Sequence, residues 1–363
     1  MKRNSILTLT IILIVLYLLA CSSTPSSTES PPNPATPTKA VDCPPIVPGT
    51  APGLRGYHSM AYDSESKQMI FFGGVAGNPS VQEYKKFDTW AFEPATYQWK
   101  QMSPCPYPEM FFGDMTYNSK ADRVIYVNPA EADPLGSYYY QILQTWAYDF
   151  NTDTWTRLAD VPGGRIGARI AYDSESDKVI LFGGITLKYN NYYDDTWAYD
   201  YNSNTWTLMQ SQSFPQGQNY QCMAYDPKAD RIVNWGGDIT SLWTYDYNTD
   251  KWKQQIPTEN RPKAYEYCGF TYDDKAELFI FYGGSDKGSD ETWTYDLASN
   301  IWEKLEPPQN PGILSRHTLV YDPISDRTIL FGGQAGGAQY NYTEETWVFD
   351  LNTNTWTNIS PEE

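Results

Sequence analysis

"DTWAYDYNSNTW", residues 195–206, sets two tryptophans nine positions apart around a polar, turn-forming Asn-Ser-Asn. Side chains alternate along a strand, so Trp197 and Tyr199 share a face. A four-residue turn after Asp200 brings Trp206 opposite Tyr199 and puts three aromatics on one side of a hairpin. The spacing of nine recurs at Trp90/Trp99, Trp146/Trp155, Trp243/Trp252, Trp293/Trp302 and Trp347/Trp356, and the aromatic two residues after each first Trp recurs with it.

Upstream of each pair stands a second hairpin signal, as in "ARIAYDSESDKVILFGG" (168–184) and "HTLVYDPISDRTILFGG" (317–333). An apolar strand ends at Tyr-Asp, a short polar turn follows, and a β-branched strand runs into Gly-Gly. Equivalent Tyr-Asp or Tyr-Asn pairs begin at Tyr62, Tyr117, Tyr172, Tyr225, Tyr272 and Tyr321. Each unit thus offers four strands in roughly 50 residues, and a small sheet with an aromatic face must stack on neighbours to bury it. Three buried aromatics per unit supply on the order of 10 kcal/mol gross, before ordering entropy, so stacking is what holds such a chain together. Repeated four-stranded units of this period predict an all-β, six-bladed propeller with antiparallel strands.

The hydrophobic run before Gly-Gly followed by two spaced aromatics ("ILFGG…DTWAYDYNSNTW") resembles the kelch repeat, over about residues 54–357. The second unit departs from the pattern, with Asn128-Pro129 where the others carry the double glycine. With one unit per blade, the chain enters on the innermost strand of blade 1 and leaves on the outermost strand of blade 6. The ring then closes by side-chain packing, unless the segment "CPPIVPGTAPG" adds a strand there.

Composition agrees: of 363 residues 16% are aromatic, with 30 Tyr, 25 Gly and 26 Pro, which favours short strands joined by turns. A net charge of −18 argues against a nucleic-acid groove or an anionic membrane surface as partner. Lys2 and Arg3, the apolar run Ile6–Ala20 and Leu18-Leu19-Ala20-Cys21 read as an export signal over residues 1–20. The ending resembles the bacterial lipoprotein lipobox, which implies acylation of Cys21 and anchoring to the cell envelope outside the cytoplasm. Residues 21–52, rich in Ser, Thr and Pro, read as a solvated tether, and 53–363 as the propeller. Membrane contact is expected through that lipid alone, and the propeller is expected to be a monomer.

In an up-and-down blade the turns after Tyr-Asp and before the second Trp lie at one end, and the loops after Gly-Gly and between blades lie at the other. The first set is short and uniform, whereas the second varies: "VAGNPSVQEYKKF" (75–87), "PAEADPLGSYYYQILQ" (129–144), "ITLKYNNYYDD" (185–195) and "QAGGAQYNYTEE" (334–345). These loops carry Tyr84, Tyr138, Tyr139, Tyr140, Tyr189, Tyr192, Tyr193, Tyr340 and Tyr342. Tyrosine among Asn, Gln and Gly is the chemistry of adaptable binding surfaces, so this face is the expected binding site for a protein or glycan, and packing of the rings on their own loops is the alternative. In kelch proteins partners often bind across the same face.

Arg55 and Arg165, at equivalent positions seven residues before Tyr-Asp, with Arg169 and Arg316 nearby, are placed near the channel mouth, where they could receive a ligand carboxylate, although pairing with a local Asp or Glu is preferred. His58 and His317 each precede Tyr-Asp by four residues; with no third ligand evident they are read as structural, and no metal or other cofactor is expected. Four cysteines remain after Cys21. Cys222 and Cys268 lie on adjacent inner strands, with a one-residue offset that argues against pairing, and Cys43 and Cys105 form the other candidate pair. Some kelch propellers are sugar oxidases or epimerases. The copper oxidases need two His, two Tyr and a Tyr–Cys crosslink, a poor match here, and without a nucleophile or phosphate motif a binding module is preferred to an enzyme.

Overall fold

Tyr199 stands opposite Trp206 in the ladder joining Thr196–Asp200 to Thr205–Leu208, and all six aromatic pairs share this register. The computed structural model describes residues 51–109, 112–131, 140–186, 191–236, 242–256, 260–263, 266–285 and 287–361. They form a six-bladed propeller of antiparallel sheets, each built from one unit. The innermost strands, in blade order, are Ser59–Asp63, Asp114–Asn118, Arg169–Asp173, Cys222–Asp226, Gly269–Asp273 and Thr318–Asp322. The outermost strand of blade 6 is Thr355–Asn358.

The turns are fixed by the repeat's own polar residues. In blade 3, Tyr172 donates its hydroxyl to Asp177 at 2.9 Å and Tyr199 to Asn204 at 2.7 Å. Both acceptors sit in the left-handed region, at φ 58° and 51°, which Asp and Asn tolerate better than most residues. Asp173 accepts the amides of Glu175 and Ser176, closing the first turn.

Each apolar cluster spans one junction between blades. The face of a blade that carries its paired aromatics packs on the opposite face of the preceding blade, as Tyr199 does on Ile125 and Val127. The ring closes in the same way, with Phe92 and Trp90 of blade 1 against Ile329 and Phe331 of blade 6. Among the described residues no strand is shared across that junction, but backbone bonds cross it from Tyr57 N to Arg316 O at 3.1 Å and from Gly333 N to Arg55 O at 2.9 Å.

A polar rung accompanies this packing. The indole N–H of each second Trp donates to the Thr before the first Trp of the preceding blade: Trp155 to Thr89 (3.0 Å), Trp206 to Thr145 (3.0 Å), Trp252 to Thr196 (2.8 Å) and Trp356 to Thr292 (3.1 Å). Trp99 reaches Thr346 across the closure at a longer 3.4 Å. Blade 4 has Leu242 at the threonine position, and Trp302 Nε1 is buried with no acceptor among the described residues.

That same junction carries the disulfide Cys222–Cys268, with Cα atoms 6.1 Å apart. The offset that argues against this pair within one sheet favours it between stacked sheets. Blades meet front to back, so residues of opposite parity face each other, as Ser59 Oγ faces Gly113 O (2.9 Å) and Thr318 Oγ1 faces His58 Nε2 (2.9 Å). Cys105 is also disulfide-bonded, to a residue outside the described set, where Cys43 and Cys21 lie too.

Blade 2 shows what the double glycine does elsewhere. Gly73 and Gly74 adopt φ 75° and 107°, and a Cβ on Gly74 would lie 3.0 Å from the Gly56 carbonyl. With Asn128-Pro129 in their place, the strand Arg123–Glu131 stays in register with Tyr140–Asp149 through those two positions and shifts only at Ala130/Glu131, whereas in blades 1 and 6 the register shifts at the double glycine itself.

Candidate functional site

The residue five positions before each Tyr of Tyr-Asp lies at the loop-face end of an inner strand: Tyr57, Phe112, Gly167, Tyr220, Tyr267 and Arg316. Tyr57, Tyr220, Tyr267 and Arg316 all hold left-handed backbone, at φ 59°, 52°, 56° and 60°. Bulky residues adopt this conformation at a cost of roughly 1 kcal/mol or more each, and such outliers concentrate at functional sites. Here it passes an amide from blade to blade: Tyr220 N donates to Gly167 O, Tyr267 N to Tyr220 O, Arg316 N to Tyr267 O and Tyr57 N to Arg316 O, at 2.7–3.1 Å.

Their side chains converge on the axis. Tyr220 and Tyr267 rings lie 4.5 Å apart, and the Tyr57 ring meets Phe112 edge-on at 5.2 Å. The Arg316 guanidinium sits 4.0 Å over Tyr267 and 5.1 Å from Tyr57, and its Nε donates to the Tyr57 hydroxyl at 2.5 Å. Below lies a central cavity of about 450 Å³. Above, at the junction of blades 6 and 1, a second cavity of about 300 Å³ is lined by Tyr57, Pro79, Arg316, Gln334, Tyr340 and Tyr342 among others.

The tyrosines expected on this face divide into groups. Tyr84, Tyr192 and Tyr340 are exposed, whereas Tyr193 packs under the Arg165 guanidinium, 3.5 Å from its ring centre. Tyr342 is buried, which raises its hydroxyl pKa, and it lines the cavity. Tyr138, Tyr139 and Tyr189 lie outside the described residues, and Tyr140 is described only as backbone in its strand.

Arg55 and Arg165 take the local-acid role of the two expected for them and are not open to a ligand carboxylate. Each is buried beneath the double-glycine turn, donating to the Gly73 or Gly183 carbonyl and pairing with Asp88 or Asp195. The histidines are buried in the fold, and neither ring nitrogen of His317 has a hydrogen-bond partner among the described residues. His58 Nε2 lies 2.9 Å from Thr318 Oγ1 and 3.2 Å from the Phe331 carbonyl, and burial holds its pKa well below the usual value. Burial brings His317 down to about 3. The acidic trio Asp173, Glu175 and Asp230 lies close enough to share an ion, yet Asp173 closes its turn and Asp230 accepts the Tyr225 hydroxyl.

Gln334 does not stand out as a site in the sequence, whereas Arg316 is among the arginines expected near the channel mouth, and the aromatic recurrence five residues before Tyr-Asp is the signal that marks its neighbours. A family model described as the KLHDC2/KLHL20/DRC7 Kelch-repeats domain matches residues 140–320. The chain carries a kelch-repeat domain. Over 309 residues this kelch chain is 22% identical to Kelch domain-containing protein 3 of Bos taurus and 21% identical to that of Homo sapiens, covering 77% of the chain and 77% of each relative. It is also 22% identical over 218 residues to N-(sulfonatooxy)prop-2-enimidothioate sulfolyase of Thlaspi arvense, covering 52% of the chain and 62% of that enzyme. Kelch domains commonly act as protein-interaction modules, and the architecture described above is of that kind.

Proposed function

We propose that this is an exported, lipid-anchored kelch propeller that binds a protein or glycan outside the cytoplasm through the face built from its Gly-Gly and inter-blade loops. The observation that carries the reading is the contrast between the two ends. The turn end is uniform and internally bonded, whereas the loop end presents exposed Tyr84, Tyr192 and Tyr340, the last of them lining a cavity. Export and anchoring rest on the signal-like residues 1–20 and on Cys21. Among the described residues no helix is long and apolar enough to cross a membrane.

Replacing Tyr84, Tyr192 and Tyr340 together by Ala is expected to abolish capture of envelope proteins and glycans on an array while leaving the unfolding transition in place. Undiminished capture rejects this face. Loss of fatty-acid labelling in Cys21→Ala tests the anchor, and retained labelling overturns it.

A further inference from the structure

We propose that the cavity between blades 6 and 1 is a saccharide subsite that takes one pyranose ring, a proposal resting on the loop-face reading above. Gln334 and Tyr342 are each only 7% exposed and both line the cavity. The Gln334 carboxamide and the Tyr342 hydroxyl belong to its wall, where a ligand or its displaced water can bond to them.

The chemistry of the lining selects the class. A carboxamide and a phenol each donate and accept, which matches sugar hydroxyls, themselves both donors and acceptors. Pro79 and the rings of Tyr57, Tyr340 and Tyr342 offer apolar and aromatic surface for a pyranose C–H face. The Arg316 guanidinium, held by Tyr57 and by Ser315 Oγ at 2.9 Å, adds a fixed polar wall to the cavity. An extended peptide has no strand edge to join here, because Gln334 is paired to Ser315 on one side and Tyr342 on the other. A volume of about 300 Å³ is at the small end for ligand sites and suits one ring better than a chain.

Saturation-transfer NMR on the soluble propeller tests this with methyl glycosides of glucose, galactose, N-acetylglucosamine and glucuronic acid, beside a pool of decapeptides. At least one glycoside is expected to receive saturation. Tyr342→Phe, which keeps the ring, and Gln334→Leu are each expected to weaken binding roughly three- to tenfold, the loss of one neutral hydrogen bond. No transfer to any glycoside, or binding unchanged in both variants, overturns the subsite. Peptides that bind wild type and are lost with Tyr84 and Tyr192 but not with Tyr342→Phe leave the loop face standing and remove the sugar.

Discussion

Replacing Thr292 by Val removes one hydroxyl from the junction of blades 5 and 6 and almost nothing else. Thr292 and Trp356 are each 1% exposed, and the hydroxyl is the only acceptor of the Trp356 indole N–H among the described residues, at 3.1 Å. Valine has the same shape, so packing is retained while a buried donor is stranded. Such a donor costs about 1–3 kcal/mol. With an unfolding entropy of about 2.1 cal/mol/K per residue over roughly 300 residues, the melting temperature should fall by about 2–5 °C. Calorimetry on a series provides the internal control. Thr89→Val and Thr196→Val should behave like Thr292→Val, whereas Thr145→Val should cost less, because Trp206 also reaches the Ala159 carbonyl at 3.2 Å. Equal or higher stability in Thr292→Val would refute the rung as a stabilising contact, and an equal loss in Thr145→Val would refute its dependence on the stranded donor.

At Leu242 the preference should invert: Leu242→Thr gives Trp302 an acceptor, so it should unfold at higher denaturant than Leu242→Val, and the opposite order rejects the rung. His317, neutral in the fold down to about pH 3 but protonated below about 6.5 when unfolded, should make stability decline as pH falls between those values. His317→Gln copies Gln221, which donates to the Phe182 carbonyl at 2.9 Å from the equivalent position. It should flatten that decline in pH-dependent denaturation; an unaltered slope excludes His317 as its source. Opening Cys222–Cys268 as the Cys222→Ala/Cys268→Ala pair should cost up to about 4 kcal/mol from the loop entropy of its 46-residue separation, and unchanged unfolding in denaturant would contradict this.

The blades were legible because their signals are local. The Trp197, Tyr199 and Trp206 spacing fixes a hairpin register, and Tyr172 with Asp177 fixes a turn, all within a dozen residues. What escaped depended on how sheets stack. Reasoning within a single sheet set Cys222 and Cys268 on opposite faces, and only front-to-back stacking turns those faces toward each other. Local acids could be expected as partners of Arg55 and Arg165, but the glycine turns that cover them are not visible in a linear spacing. The cavity was least legible, since Tyr57 and Pro79 meet Gln334 and Tyr342 only once the first and last blades are brought together.

The front-to-back contact between blades is head-to-tail: the surface a blade offers forward is unlike the one it offers back. Repeated contacts of that kind either close on themselves or grow without limit, and here the covalent chain halts growth at six. A half-propeller cut between blades 3 and 4 would carry one sticky end of each sort. Two such fragments should therefore reassemble in one polarity, with the correct order written into their unlike ends.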